Sequence, residues 1–237
     1  MTSKLLPTDQ QNFVHLGIAV VDKIKLPMKD ILKLYIKPID LYNAISSCTV
    51  LLTGKYKLNV EQRKICFLSP TDIPDYCKFD VSLLYKLIQN LCPHLVPTQG
   101  WGKQPKATDV KIGDDIERLR QFRNDMLGHL ESSSIPDAMF ESRWTEIEDV
   151  MNRMDSYLSK QGFNAVNYEK ELADIRKCNF GFEDMEKYKL MLEATLRILK
   201  EKEEFPSITL RRNATIMCGE TAFFEADIEQ TSMSTQN

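Results

Sequence analysis

Two long segments of the chain carry apolar residues at steps of three and four, the spacing of one face of an α-helix. In residues 108–131 these are Ile112, Ile116, Leu119, Phe122, Met126 and Leu130. In residues 136–160 they are Met139, Phe140, Trp144, Ile147, Met151, Met154 and Leu158. Because the connection over residues 132–134 is short, the two helices are predicted to pack as an antiparallel pair with this stripe in the core.

Shorter helices are predicted before this pair. Apolar spacing indicates four of them: one capped by Thr8 or Asp9, one that begins near Pro27, one from Asp40 to Gly54, and one over residues 59–67. A fifth follows Asp80, a good N-cap residue, and Phe79 and Leu84 have the spacing of a hydrophobic staple around it. Trp101, between two glycines in a polar loop, is predicted to pack that loop onto the bundle. The predicted fold class is therefore all-α, a helical bundle.

The sequence changes character after Gly162. Apolar residues at helical spacing continue to the charged run at residues 200–204, so residues 163–205 are predicted to be an amphipathic helical extension. From residue 206 onward, β-branched and aromatic residues favour strand. The predicted organisation is therefore a helical domain over residues 1–162, the extension over 163–205, and a β-prone tail over 206–237.

Charge and cysteine content restrict the classes of function. The net charge of -3 means that any nucleic-acid role rests on a local patch or a catalytic pocket. None of the six cysteines forms a Cys-x-x-Cys pair, so neither a zinc site nor another cofactor is expected. The N-terminus lacks a signal-peptide layout, and no apolar stretch approaches the ~20 residues that span a bilayer. We expect a cytoplasmic protein with free thiols and no membrane partner.

Three residues near the end of the first long helix form a candidate catalytic set: Arg123, Asn124 and His129. The planar guanidinium of arginine suits phosphate oxygens, and histidine can accept and return a proton near neutral pH. Together with a polar amide these groups suffice for metal-independent RNA cleavage. On a straight helix, six positions correspond to ~120° of rotation and ~9 Å of rise. The pair would converge if Gly128 loosens the last turn, or if two copies of the helix meet in a dimer.

A structural interpretation of the same residues stands beside the catalytic one. An arginine and a histidine at this spacing are also typical of surface charges, or of a histidine that caps a helix end. The neighbouring Arg118 and Arg120 lie among acidic residues, which indicates a solvated helix face of mixed charge: Asp114, Asp115 and Glu117. His15, on the first helix, is predicted to lie at the edge of the core.

Several separated motifs resemble a HEPN domain, of the type found in the DAZ-interacting zinc-finger ubiquitin ligase and in invertebrate immune-type proteins. In chain order they are Phe79-Asp80-x-x-Leu83-Leu84, Gly100-Trp101, Asp114-Asp115-Ile116-x-Arg118-Leu119-Arg120-x-x-Arg123-Asn124, His129-Leu130 and Phe140-x-x-x-Trp144-x-x-Ile147. The resemblance covers residues 10–162. Residues 218–226 resemble the opening strands of an intracellular immunoglobulin-type domain, in a segment too short to fold as one.

The HEPN resemblance implies a helical bundle that dimerises with its arginine-containing helices facing each other. Many such proteins are metal-independent endoribonucleases that leave cyclic-phosphate ends, and in those the implied site residues are Arg123, Asn124 and His129. Other members serve as RNA-binding or assembly modules. Ubiquitin transfer is not implied, because this sequence has no Cys/His array of the RING type.

Two hypotheses follow from these observations. The first is an RNA-binding module or metal-independent endoribonuclease that acts as a homodimer in stress or innate-immune signalling. The second is a non-catalytic dimerisation adaptor, which binds protein partners through residues 164–204. The intact set of Arg123, Asn124 and His129 favours the first hypothesis, whereas the acidic balance and the amphipathic C-terminal segment favour the second.

Overall fold

The computed structural model describes residues 6–54, 57–163 and 167–197. Within these ranges all regular secondary structure is helical, which confirms the predicted all-α bundle. The α-helices are α1 (Thr8–Ile18), α2 (Lys25–Tyr35), α3 (Leu41–Ser46), α4 (Thr49–Leu52), α5 (Val60–Cys66), α6 (Val81–Leu91), α7 (Ile112–Leu127), α8 (Asp137–Lys160) and α9 (Tyr168–Arg176). The chain divides into two units, Met1–Leu192 and Glu193–Asn237; residues 182–192 of the first and 193–197 of the second are also helical.

Helices α7 and α8 form the predicted antiparallel pair. Near the turn that joins them, Arg143 Nη2 lies 3.0 Å from Asp125 Oδ2. Far from the turn, Arg153 Nη2 donates to Asp115 Oδ1 at 2.6 Å. The α8 stripe is buried as predicted, except that Met139 in the first turn is 40% exposed. Helices α1 and α2 pack against α8, and α6 packs against α2 and α7.

Side chains cap the starts of α5 and α6. The carboxylate of Asp80 accepts a hydrogen bond from Leu83 N at 2.7 Å, which confirms the predicted start of α6. At the start of α5, Asn59 and Gln62 form a capping box, each side chain accepting from the other residue's backbone N–H. Local sequence therefore determines these two ends.

Two predicted helix limits near the N-terminus are wrong. The N-cap residue of α1 is Pro7, whose carbonyl accepts from the backbone of the first turn, and not Thr8 or Asp9. The helix predicted from Asp40 to residue 54 is divided into α3 and α4. At the division, the hydroxyls of Ser46 and Ser47 donate to carbonyl oxygens four residues back, a bond that often bends helices.

The long helix α7 is shorter at both ends than its apolar pattern predicts. It starts at Ile112 because the Asp114 carboxylate accepts a hydrogen bond from Lys111 N at 2.9 Å and closes the first turn there. It ends at Leu127, and residues 128–133 follow as successive turns. Leu130 is buried although it lies in these turns, which explains why the apolar pattern continues past the helix.

Three carboxylates on α7 are buried rather than solvated, contrary to the prediction of a mixed-charge surface: Asp114, Asp115 and Glu117. Asp114 accepts from Thr98 N at 2.5 Å and from Thr98 Oγ1 at 2.9 Å. Glu117 accepts from the Tyr85 hydroxyl at 2.6 Å and from Gly102 N at 3.1 Å. A buried charge needs partners of this kind, and these fasten the loop before α7 to the helix.

Within the predicted extension, residues 168–176 and 182–197 are helical. Helix α9 contacts α8 and α1, and the buried Tyr168 donates its hydroxyl proton to Asp30 Oδ2 at 2.6 Å. Residues 182–192 contribute further buried apolar side chains: Met185, Tyr188 and Leu192. Residues 198–205 of the extension and the β-prone tail over 206–237 lie outside the described residues.

The described cysteines are free thiols, of which Cys66 and Cys92 are buried, Cys48 is half-buried, and Cys77 and Cys178 are exposed. Trp101 packs its ring edge-on against Tyr85 of α6 with 5.3 Å between centroids, which confirms that it holds its loop to the bundle. Among the helices of the described ranges, none is both long and apolar enough to cross a membrane.

Candidate functional site

Arg123 lies in the last turns of α7 and faces α6 rather than solvent. Its residue exposure is 6%. The guanidinium donates to the hydroxyl of Ser82 on α6 and, from Nη2, to Asn124 Oδ1 at 2.9 Å. Burial lowers the pKa of Arg123 to about 10, and the nearby Asp80 carboxylate opposes that shift. Arg123 therefore remains a cation at neutral pH.

Asn124 and His129 line a single open cavity of about 440 Å³. Its floor consists of apolar side chains from α1, the π-helical segment after it, α7 and α8: Leu16, Val20, Phe122, Met126 and Ile147. Asn124 is exposed at its edge, and His129 is half-buried. Arg123 is not part of the lining. Two of the three candidate residues, Asn124 and His129, therefore line the same cavity. The third, Arg123, contacts Asn124 through a hydrogen bond.

Turns after α7 position His129. Gly128 N donates to Asp125 O at 3.0 Å and His129 N donates to Met126 O at 3.1 Å, both across three residues instead of four. The His129 carbonyl in turn accepts from Ser133 N at 3.0 Å. The last turn at Gly128 is therefore tighter than an α-helix, and His129 lies beyond the end of α7. The turn at Gly128 is thus not loosened, and within one chain Arg123 and His129 do not converge, because Arg123 faces α6 while His129 lines the cavity.

Arg143 of α8 lines the same cavity, and it is absent from the candidate set derived from sequence. Its side chain is 42% exposed and forms ion pairs with Asp125 and Glu146, each at 3.0 Å. The position of Arg143 opposite Asp125 could have been predicted from the sequence. In an antiparallel pair, residues at similar distances from the connecting turn face each other, and Arg143 and Asp125 satisfy that condition about residues 132–134.

A structural role for Arg123 leads to a prediction about stability. Arg123→Met and Ser82→Ala each remove one partner of the hydrogen bond between α7 and α6. Because bonds to a charged donor contribute about 1.5–3 kcal/mol, we expect a coupling free energy of about that size between the two changes. Urea unfolding of the wild type, both single variants and the double variant measures it. Strictly additive losses would mean that this contact does not stabilise the fold.

Other histidines have structural surroundings. His15 is buried at 8% exposure, and its ring nitrogens lie 2.7 Å from Gln11 O and 3.0 Å from Cys178 O. This confirms its predicted place at the edge of the core. His94 packs against the Tyr35 ring with 4.2 Å between centroids. In the part of the chain that the structure describes, no three His, Cys, Asp or Glu side chains converge as metal ligands would.

Comparison with known proteins agrees with this architecture. The family model described as DZIP3/hRUL138-like HEPN matches residues 40–177, more than half of the chain. The E3 ubiquitin-protein ligases DZIP3 of Homo sapiens and Mus musculus are each 29% identical to the chain over 83 residues. That match covers 35% of this chain and 7% of either ligase. No solved structure matches significantly. The chain belongs to the DZIP3/hRUL138-like HEPN family.

Proposed function

We propose that this HEPN domain binds single-stranded RNA at the His129 cavity and cleaves it without a metal, as a homodimer. The observation that carries the proposal is that an exposed amide, Asn124, and a half-buried imidazole, His129, line one open cavity. The cavity is large enough to admit part of a nucleotide, and its apolar floor suits a base. Ubiquitin transfer is not included, because the match covers 7% of the ligases.

The proposed reaction is an internal transfer at phosphorus. The 2'-oxygen of one nucleotide attacks the adjacent phosphate, and His129 accepts the proton of that hydroxyl. The bond from phosphorus to the 5'-oxygen breaks, and the leaving oxygen takes a proton from solvent or from the protonated imidazole. The products are a 2',3'-cyclic phosphate and a 5'-hydroxyl. A nearby cation stabilises the charge that develops on the phosphate oxygens.

The homodimer is part of the proposal because the family arrangement apposes two arginine-containing helices. On this chain the last turn of α7 exposes Asn124 and Asp125, followed by Gly128, so this face is open to a second copy. A dimer formed there would bring two His129 cavities close to each other.

Incubation of the purified chain with labelled single-stranded RNA in EDTA tests the proposal. We expect cleavage products with cyclic-phosphate ends, and a dimer by light scattering. EDTA excludes contaminating nucleases that depend on a divalent metal, and a His129→Ala variant purified in the same way controls for contaminants that need none. A folded protein that neither binds nor cleaves the RNA would contradict the proposal.

A second candidate function is a non-catalytic dimerisation adaptor. The observation that favours it is the burial of Arg123, whose donors are occupied by Ser82 and Asn124. Phe182 and Leu190, which are 61% and 63% exposed, would serve to bind protein partners. The adaptor predicts a clear oligomer and no RNA turnover, so a strict monomer by light scattering would count against it.

A further inference from the structure

We propose that Arg143, on α8, is the cation that binds the RNA phosphate in the His129 cavity, an inference that rests on the proposed function. It replaces Arg123 in the role that the sequence motif suggests. The proposal makes Arg143 a substrate-binding residue and leaves Arg123 to position Asn124.

The first argument concerns Arg123. Its Nη1 donates to the Ser82 hydroxyl, and its Nε and Nη2 donate to Asn124 Oδ1 at 3.2 Å and 2.9 Å. With 6% of the residue exposed and no place in the cavity lining, a phosphate would have to displace both partners to reach it. Its bonds to Asn124 instead hold that amide at the edge of the cavity.

The second argument concerns Arg143. It shares the cavity lining with Asn124 and His129, so the arginine and the histidine border the same space. The side chain is 42% exposed, which leaves its donors accessible from solvent. A guanidinium presents paired donors that match two oxygens of one phosphate. Arg143 therefore has the chemistry and the access that Arg123 lacks here.

The present partners of Arg143 do not prevent this role. Asp125 and Glu146 are 47% and 48% exposed, and ion pairs between such exposed groups are weak. A phosphate can replace either carboxylate without leaving a buried charge unpaired. The two carboxylates would hold Arg143 in place at the cavity before RNA binds and would be released when a phosphate takes their position.

Removal of the Arg143 charge gives the principal test. We expect Arg143→Gln to weaken binding of a short single-stranded RNA about tenfold or more, measured by fluorescence anisotropy with the cleavable 2'-hydroxyls methylated. The slope of log K against log salt should decrease by about 0.7 for one lost phosphate contact. A loss of stability alone would not change that slope. Cleavage of unmodified RNA should decrease in parallel.

Arg176→Gln is the matched control. Arg176 forms an ion pair with Glu141 of α8 at 2.5 Å and is 38% exposed, close to the exposure of Arg143. It lies beside a different cavity, which contains His15. The control removes the same charge from a similarly exposed arginine, so its RNA affinity and salt slope should remain those of the wild type. An equal loss of RNA affinity in both variants would mean that Arg143 contributes only to the overall charge, and it would overturn the inference.

A variant that is expected to bind RNA more tightly provides a result that misfolding cannot produce. Glu146→Gln removes one carboxylate that competes with phosphate for Arg143, and Glu146 is not part of the cavity lining. We expect RNA binding to tighten severalfold, most at low salt, and this gain should disappear when Arg143→Gln is added. Unchanged affinity in Glu146→Gln would contradict an exchange of carboxylate for phosphate.

The outcomes separate this inference from the proposed function. If wild type and Arg143→Gln bind RNA equally while His129→Ala fails to cleave, the Arg143 assignment is wrong and the nuclease remains. If the folded wild type neither binds nor cleaves RNA, both proposals fail together.

Discussion

His129→Ala is expected to slow RNA cleavage by about 10²- to 10⁴-fold, the contribution that a positioned acid or base makes to proton transfer. Of the described residues that line the cavity, His129 is the one whose side-chain type exchanges protons near neutral pH. Its removal therefore leaves the 2'-hydroxyl without a proton acceptor. The measurement is the single-turnover rate on labelled RNA in EDTA, with RNA affinity determined alongside.

His94→Ala is the matched control for this variant. His94 is exposed and packs against Tyr35, outside the cavity lining. It should cleave at the wild-type rate, whereas His129→Ala should still bind methylated RNA within a few-fold of wild type. Cleavage by His129→Ala at the wild-type rate would attribute the activity to a contaminant and leave the adaptor as the better hypothesis.

Gly113→Ala is expected to lower the free energy of unfolding by at least about 3 kcal/mol, the upper part of the range for overpacked sites. A Cβ atom at this position would lie 2.1 Å from Leu95 O and 2.9 Å from Pro97 N. Both are backbone atoms, so no rotamer change can relieve the overlap. The start of α7 would have to move away from the chain segment it touches. Urea or thermal unfolding of the variant measures the loss.

Gly17→Ala provides the comparison. Gly17 is also a buried helical glycine, in α1, and its added Cβ would meet Tyr188 Cβ at 3.4 Å, an ordinary contact. The better helix propensity of alanine offsets part of any cost there, so we expect a change below about 1 kcal/mol. A loss as small in Gly113→Ala would mean that α7 can shift away from residues 95–97 without penalty.

Features that depend on neighbouring residues could be predicted from the sequence. The cap at Asp80 and the stripe of α8 depend on residues within a few positions, and both were correct. The end of α7 was not, because Leu130 is buried by turns that continue the apolar spacing without the helix. An apolar pattern reports which residues are buried and cannot alone distinguish a last helical turn from successive tight turns.

The environment of charged residues on α7 could not be predicted in the same way. Glu117 is buried because its partners, Tyr85 and Gly102, come from segments 32 and 15 positions away. Arg123 likewise faces Ser82, 41 positions away, which no local spacing indicates. The motif put Asn124 and His129 in one site, and both residues line the same cavity. Their role in catalysis stays a prediction.

The bonds of α7 to its surroundings have a mechanical consequence. Near its start, Asp114 is bonded to the preceding loop at Thr98, and near its end Arg123 is bonded to α6 at Ser82. Because α7 is bonded to the rest of the bundle near both ends, the helix can neither slide nor rotate without breaking one of these hydrogen bonds. Between α7 and the segment that follows it, we therefore expect adjustment to RNA or to a second copy in the turns over residues 128–133, which carry His129.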